Sequence, residues 1–150
     1  MRILFLFLTV LILNQGIAQQ TYRVQRGERP EINLDAVPEN AYHKGVIKIK
    51  LQESYTQLMD EMPVTVSNGT VVFGIPAIDQ LIRQYGISNF GKTFSSPAFT
   101  AEFAERHRAW GFHLWYYLYF DESVDVINLV RKFDALSAVM IAEPEYVKVP

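Results

Sequence analysis

The sequence contains no cysteine. That absence excludes disulfide frameworks, thiolate zinc sites, cysteine nucleophiles and lipid attachment through a thiol. Histidine is scarce: His43, His107 and His113 are the only three, and none forms the His-Glu-x-x-His pair of a helical metal site. Glu102, Glu105 and His107 lie close together, but so loose a group reads as a solvated face. No metal and no cofactor is expected. An excess of one charge is also lacking. Fourteen Lys and Arg against sixteen Asp and Glu leave a net charge of −2, which argues against a nucleic-acid partner. The longest apolar run is short of a bilayer span, so no stable membrane anchor is expected. The Gly-rich phosphate loops and the Gly-x-Ser-x-Gly elbow are missing too. Paired acids such as Asp60-Glu61 and Asp121-Glu122 are ordinary surface features.

What remains is 150 residues, 49% hydrophobic and 13% aromatic, a composition that suits one folded domain. The first segment is an address. Arg2 precedes an apolar run from Ile3 to Leu13, and Gly16 and Ala18 stand at −3 and −1 of a cut before Gln19. That is the pattern of a cleaved secretory signal over residues 1–18, with cleavage between Ala18 and Gln19. The product is expected to be exported, to a periplasm or the outside of the cell. Residues 19–44 are polar and broken by Pro30 and Pro38, and read as an extended lead-in.

From Gly45 onward the pattern is that of an α+β domain over residues 45–150. Gly45 to Leu51 alternates, with Ile47, Ile49 and Leu51 on one face and Val46, Lys48 and Lys50 on the other. Residues 63–73 hold two β-rich runs around Asn68-Gly69, the dipeptide of a type I′ hairpin turn. Pro76 to Tyr85 reads as a helix, with Pro76 in its first turn and Gly86 as its stop. A strand over Ile87 to Phe94 and a short helical stretch over Phe99 to His107 follow. Phe112 to Phe120 is the strongest strand: Leu114, Tyr116, Leu118 and Phe120 face one way, His113, Trp115, Tyr117 and Tyr119 the other. A helix capped by Ser123 then carries Val126, Leu129, Val130, Phe133 and Leu136. Val139 to Ala142 reads as a last short strand, ended by Glu143-Pro144. Glu145, Tyr146, Val147, Lys148, Val149 and Pro150 form an extended tail.

This order is the ferredoxin-like split βαβ (βαββαβ), an antiparallel sheet with two helices on one face, plus an inserted β-hairpin. The other face would carry Trp115, Tyr117 and Tyr119, with His113 and the two lysines. Large aromatics on an uncovered face mark an interaction surface, unless the hairpin or the lead-in folds over them. On this fold, Arg108-Ala109-Trp110-Gly111-Phe112-His113 partly echoes an RNA-recognition signature. Arg108, Gly111 and Phe112 match, Ala109 and His113 depart, and export and net charge oppose RNA.

The signal segment, Gly45-Val46-Ile47-Lys48-Ile49-Lys50 and the closing Val139-Met140-Ile141-Ala142-Glu143-Pro144 together resemble the N-terminal propeptide of secreted subtilisin-like (S8) serine proteases. Trp115-Tyr116-Tyr117-Leu118-Tyr119-Phe120 with Asp125-Val126 is similar to the middle of such inhibitor-I9-like prodomains. The resemblance covers residues 45–150. It implies an intramolecular chaperone and inhibitor of a cognate protease domain, in cis or in trans. The sheet face, with Trp115, Tyr117, Tyr119 and His113, would dock on the protease. The tail from Glu145 to Pro150 would lead into the substrate cleft. No Asp-x-Gly or His-Gly motif of the family's catalytic domain occurs, and the single Gly-x-Ser, Gly86-Ile87-Ser88, stands without them, so this chain is not expected to be an enzyme. Two other readings stay open: an exported module binding protein or glycan through the aromatic face, and an enzyme using His107 or His113 in a pocket.

Overall fold

A computed structural model describes residues 32–95 and 103–148. The signal segment with the Ala18–Gln19 cleavage site, the first half of the Phe99–His107 stretch, and Val149 and Pro150 lie outside the described residues.

The lead-in from Ile32 forms two short 3-10 turns, Leu34–Ala36 and Glu39–Ala41. Strand β1 then runs Tyr42–Leu51, starting three residues before the expected Gly45. A 3-10 turn, Glu53–Tyr55, opens into helix α1, Thr56–Glu61. The hairpin strands are β2, Thr65–Ser67, and β3, Thr70–Val72. Asn68 and Gly69 between them both have left-handed φ, +50° and +73°, as a type I′ turn requires. Helix α2 is Pro76–Tyr85 and strand β4 is Asn89–Lys92. Helix α3, Ala104–Ala109, leads through a 3-10 turn, Phe112–Leu114, into β5, Trp115–Tyr119. Helix α4, Val126–Asp134, and β6, Val139–Tyr146, complete the chain.

The four long-range strands form one antiparallel sheet in the order β4-β5-β1-β6. The first and third strands of the βαββαβ motif are therefore central, which is the ferredoxin-like arrangement the sequence predicts. Ile47, Ile49 and Leu51 of β1 and Tyr116 and Leu118 of β5 are buried with Ile78 and Ile82 of α2 and Leu129, Val130 and Phe133 of α4. Each such side chain withdrawn from water contributes about 1.5–3 kcal/mol. The inserted segment enlarges this core rather than capping the opposite face. Met59 of α1, Val71 of β3 and Phe73 are buried in it, and the Phe73 ring meets Tyr116 edge-on at 5.1 Å. The buried carboxylate of Asp79 on α2 accepts the Phe73 and Gly74 amides, at 2.7 and 3.1 Å. That ties hairpin to helix. The described lead-in also stays off the opposite face: Asp35 pairs with Arg131 of α4, and Leu34 packs against the core.

Four expectations need correction. The β5 strand is shorter than Phe112–Phe120, because Gly111, at φ +73°, starts a turn closed by the Leu114 amide on the Gly111 carbonyl at 3.1 Å. The strand after α2 spans Asn89–Lys92 only. Ser123 does not cap α4: its amide is bound by Asp121, and Asp125 accepts the Asn128 amide at 3.0 Å. The last strand passes through Glu143-Pro144 to Tyr146. Among the described residues, no helix is long and apolar enough to cross a membrane.

Candidate functional site

Residues of β1, β5 and β6 that alternate with the core positions form the face opposite α2 and α4. Register brings them side by side. Lys48 stands opposite Tyr117 on one side and Glu143 on the other; Val46 stands opposite Tyr119, and Lys50 opposite Trp115. On the far side of β5, Gly91 of β4 stands opposite Tyr117. The Tyr119 ring leans over Gly91, with Cε2 3.8 Å from where a Cβ would sit. An aromatic ring thus covers a residue that has no side chain of its own.

The centre of this face is ionic. The Lys48 ammonium lies 3.0 Å from Glu143 and 3.0 Å from Glu145. Glu143 is nearly enclosed, its side chain 7% exposed. Burial alone would lower the Lys48 pKa, but hydrogen bonds and charge from the two carboxylates outweigh it and raise it. Burial also raises the Tyr117 hydroxyl, assisted by the Glu145 carboxylate. Tyr117 and Tyr119 lie 6.2 Å apart, tilted by 31°. Tyr119 is 40% exposed, while Tyr117 and Trp115 are half-buried.

At the other end the face is not open. Lys50, expected on the open face, is 5% exposed. Its ammonium reaches the Trp110 carbonyl at 3.4 Å, and its stem fills the space beside Gly111, where a Cβ would come within 3.1 Å of Lys50 Cε. Trp115 meets Phe94 edge-on at 6.4 Å. Phe94 stacks on Phe112 at 4.5 Å and Phe112 on His107 at 5.6 Å. Trp115 is therefore partly committed to internal packing.

His113 is not in the row of Trp115, Tyr117 and Tyr119. It sits on the 3-10 turn before β5, with Nε2 3.1 Å from the Thr56 hydroxyl of α1. Its Nδ1 is buried with no hydrogen-bond partner among the described residues. Burial lowers its pKa below the ordinary 6.5, helped by Arg108, Lys92 and Lys50 and opposed by Asp60. Arg108 itself is paired with Asp60. The neighbouring Lys92 ammonium donates to the His113 carbonyl at 2.6 Å and the Tyr116 hydroxyl at 2.7 Å.

The tail starts later than expected. Glu145 and Tyr146 belong to β6, with Tyr146 opposite Tyr42. The Val147 amide donates to the Ala41 carbonyl at 2.9 Å, so only Lys148 extends beyond the sheet among the described residues. Sequence reasoning missed the joining of Glu143 and Glu145 to Lys48. The signal was alternation through Ile141, Glu143 and Glu145, hidden by treating Pro144 as a terminator.

Among the described residues no group of three His, Cys, Asp or Glu side chains gathers to hold a metal. One cleft of about 420 Å³ is lined by Ile32, Asn33, Leu34, Asp35 and Arg131. Neither His107 nor His113 lines it, and its two charged groups pair with each other. Comparison with protein-family models, with curated proteins and with solved structures gives no match.

Proposed function

We propose that this chain is the pro-region of a secreted subtilisin-like serine protease precursor, acting as chaperone and inhibitor of the protease domain, in cis or in trans. The observation that carries the reading is the β4-β5-β1-β6 sheet with Tyr117 and the exposed Tyr119 on the face away from the helices. Three of the sequence stretches that resemble the family lie in its adjacent strands β5, β1 and β6. Half-exposed tyrosines offer large contact area at small entropic cost. A surface that binds only the folded or folding protease stabilises it by mass action. The Lys48–Glu143–Glu145 group holds β1 to β6 beneath that surface. As the resemblance implies, the tail that follows β6 would lie in the protease cleft and add main-chain hydrogen bonds there. Without the family's catalytic motifs, the chain itself performs no cleavage.

The test is slow-binding inhibition of a subtilisin-type protease by the full chain. Wild type is expected to inhibit with a dissociation constant of roughly 1 μM or tighter. The Tyr117→Ser/Tyr119→Ser double variant is expected to lose about tenfold or more of that affinity. Its urea midpoint should shift much less, since Tyr119 is exposed and Trp115 is left in place. Equal inhibition by a folded double variant overturns the docking face. Absence of inhibition by wild type overturns the prodomain reading.

A further inference from the structure

The tyrosine pair and the Lys48 group are not independent. Lys48 divides one positive charge between two carboxylates, each 3.0 Å away. Of the two, Glu145 is the more exposed, at 19% against 7%. Burial raises the pKa of the Tyr117 hydroxyl, and the Glu145 carboxylate adds to the rise. Beside Tyr117, which stands opposite Lys48 in the register, two carboxylates therefore share a single ammonium. Tyr117 interacts with the Glu145 carboxylate, and its ring lies 6.2 Å from the exposed ring of Tyr119. A negative carboxylate beside aromatic faces is matched by a flat cation that can stack and donate hydrogen bonds at once. Guanidinium fits better than ammonium: it is planar, weakly hydrated and presents donors in its plane.

We propose that the Tyr117–Tyr119–Glu145 corner is a subsite for an arginine side chain presented by the protein partner of this face. The proposal rests on the docking reading of the face and deepens it by naming what the partner must offer. Arginine stacks on Tyr119, the more open ring, and its donors reach Glu145 past the Tyr117 edge. The partner surface is then cationic where it meets this corner, and association weakens with salt because part of the contact is a screened charge pair.

The test uses the full chain and N-acetyl-arginine amide as probe, with the citrulline amide as a neutral control of nearly the same shape. Binding is read by NMR shifts of the tyrosine rings. The arginine probe is expected to shift Tyr117 and Tyr119 saturably, with half-saturation at roughly 10–100 mM. The citrulline probe is expected to produce no saturable shift. Glu145→Gln should weaken arginine binding by about threefold or more. Tyr119→Ser, at an exposed position, should do the same while the amide spectrum stays dispersed, which guards against a folding defect in the first variant. Equal shifts from both probes, shifts away from this corner, or no saturation by arginine overturn the subsite. The prodomain reading is judged separately: inhibition that depends on Tyr117 and Tyr119 without arginine binding removes the subsite alone. Arginine binding without protease inhibition removes the protease as partner and keeps the cation subsite.

Discussion

His113 shows how one turn of backbone changes what a residue can do. Strict alternation sets it beside Trp115, facing outward. The 3-10 turn opened by Gly111 rotates it away, and its ring is bound to Thr56 instead. Three cations lower its pKa after burial does, Arg108, Lys92 and Lys50, with only Asp60 opposing them. Since the folded pKa lies below the ordinary 6.5, the neutral ring is stable above that value in folded and unfolded chain alike. As pH falls below 6.5 the unfolded chain takes up the proton first, and stability is lost until pH has passed the folded pKa. Urea midpoints measured from pH 7.5 down to pH 5 are therefore expected to fall more steeply for wild type than for His113→Gln. Identical pH slopes in the two proteins would show that His113 is not held neutral by its surroundings. This position was not legible in the sequence, because a left-handed glycine decides it and the strand pattern continues on both sides.

At the scale of elements, local chemistry was readable wherever it was contained in the element itself. Asn68-Gly69 specified the hairpin, and the apolar spacing from Ile78 to Ile82 and from Val126 to Phe133 specified the two helices. Reading failed where two local options competed. Ser123 and Asp125 are both good N-caps by composition. Asp121 first forms its own turn, taking the Ser123 amide at 2.9 Å, with the Val124 amide on its carbonyl. The helix is thereby delayed to Val126, and Asp125 receives the Asn128 amide. Asp125→Ala is expected to cost about 1 kcal/mol in urea unfolding, against about 0.5 kcal/mol or less for Ser123→Ala. The reverse order would return the cap to Ser123. Pro144 misled for a related reason: proline ends a central strand, but β6 is an edge strand, where one missing amide need not break the ladder.

Over the whole molecule, the sheet order determines both the site and the distribution of stability. The aromatic side of β5 was legible because its period of two lies within one strand. The Lys48–Glu143–Glu145 group was not, because it joins strands separated by most of the domain, and their register is set by packing. That register also has irregularities, between Tyr42 and Ile47 and between Lys50 and Leu51, which no local pattern announces. The same order places β1 and β5 at the centre, with their core-facing side chains buried under α2 and α4 and paired strands on both sides. Strand β4 has one partner in the sheet and only four residues. Opening β4 disrupts one ladder, whereas exposing Ile49 or Leu118 requires the core itself to open. Amides of β1 and β5 that are bonded in the ladder are therefore expected to exchange only through global unfolding. Those of β4 should exchange about a hundredfold faster or more, by local opening. Native-state hydrogen exchange measured against rising denaturant separates the two classes: central amides should track global stability throughout, and β4 amides should join them only near the transition. Equal protection across the four strands would mean that β4 opens with the core as one unit, and that the sheet has no weak edge on the side of Tyr119.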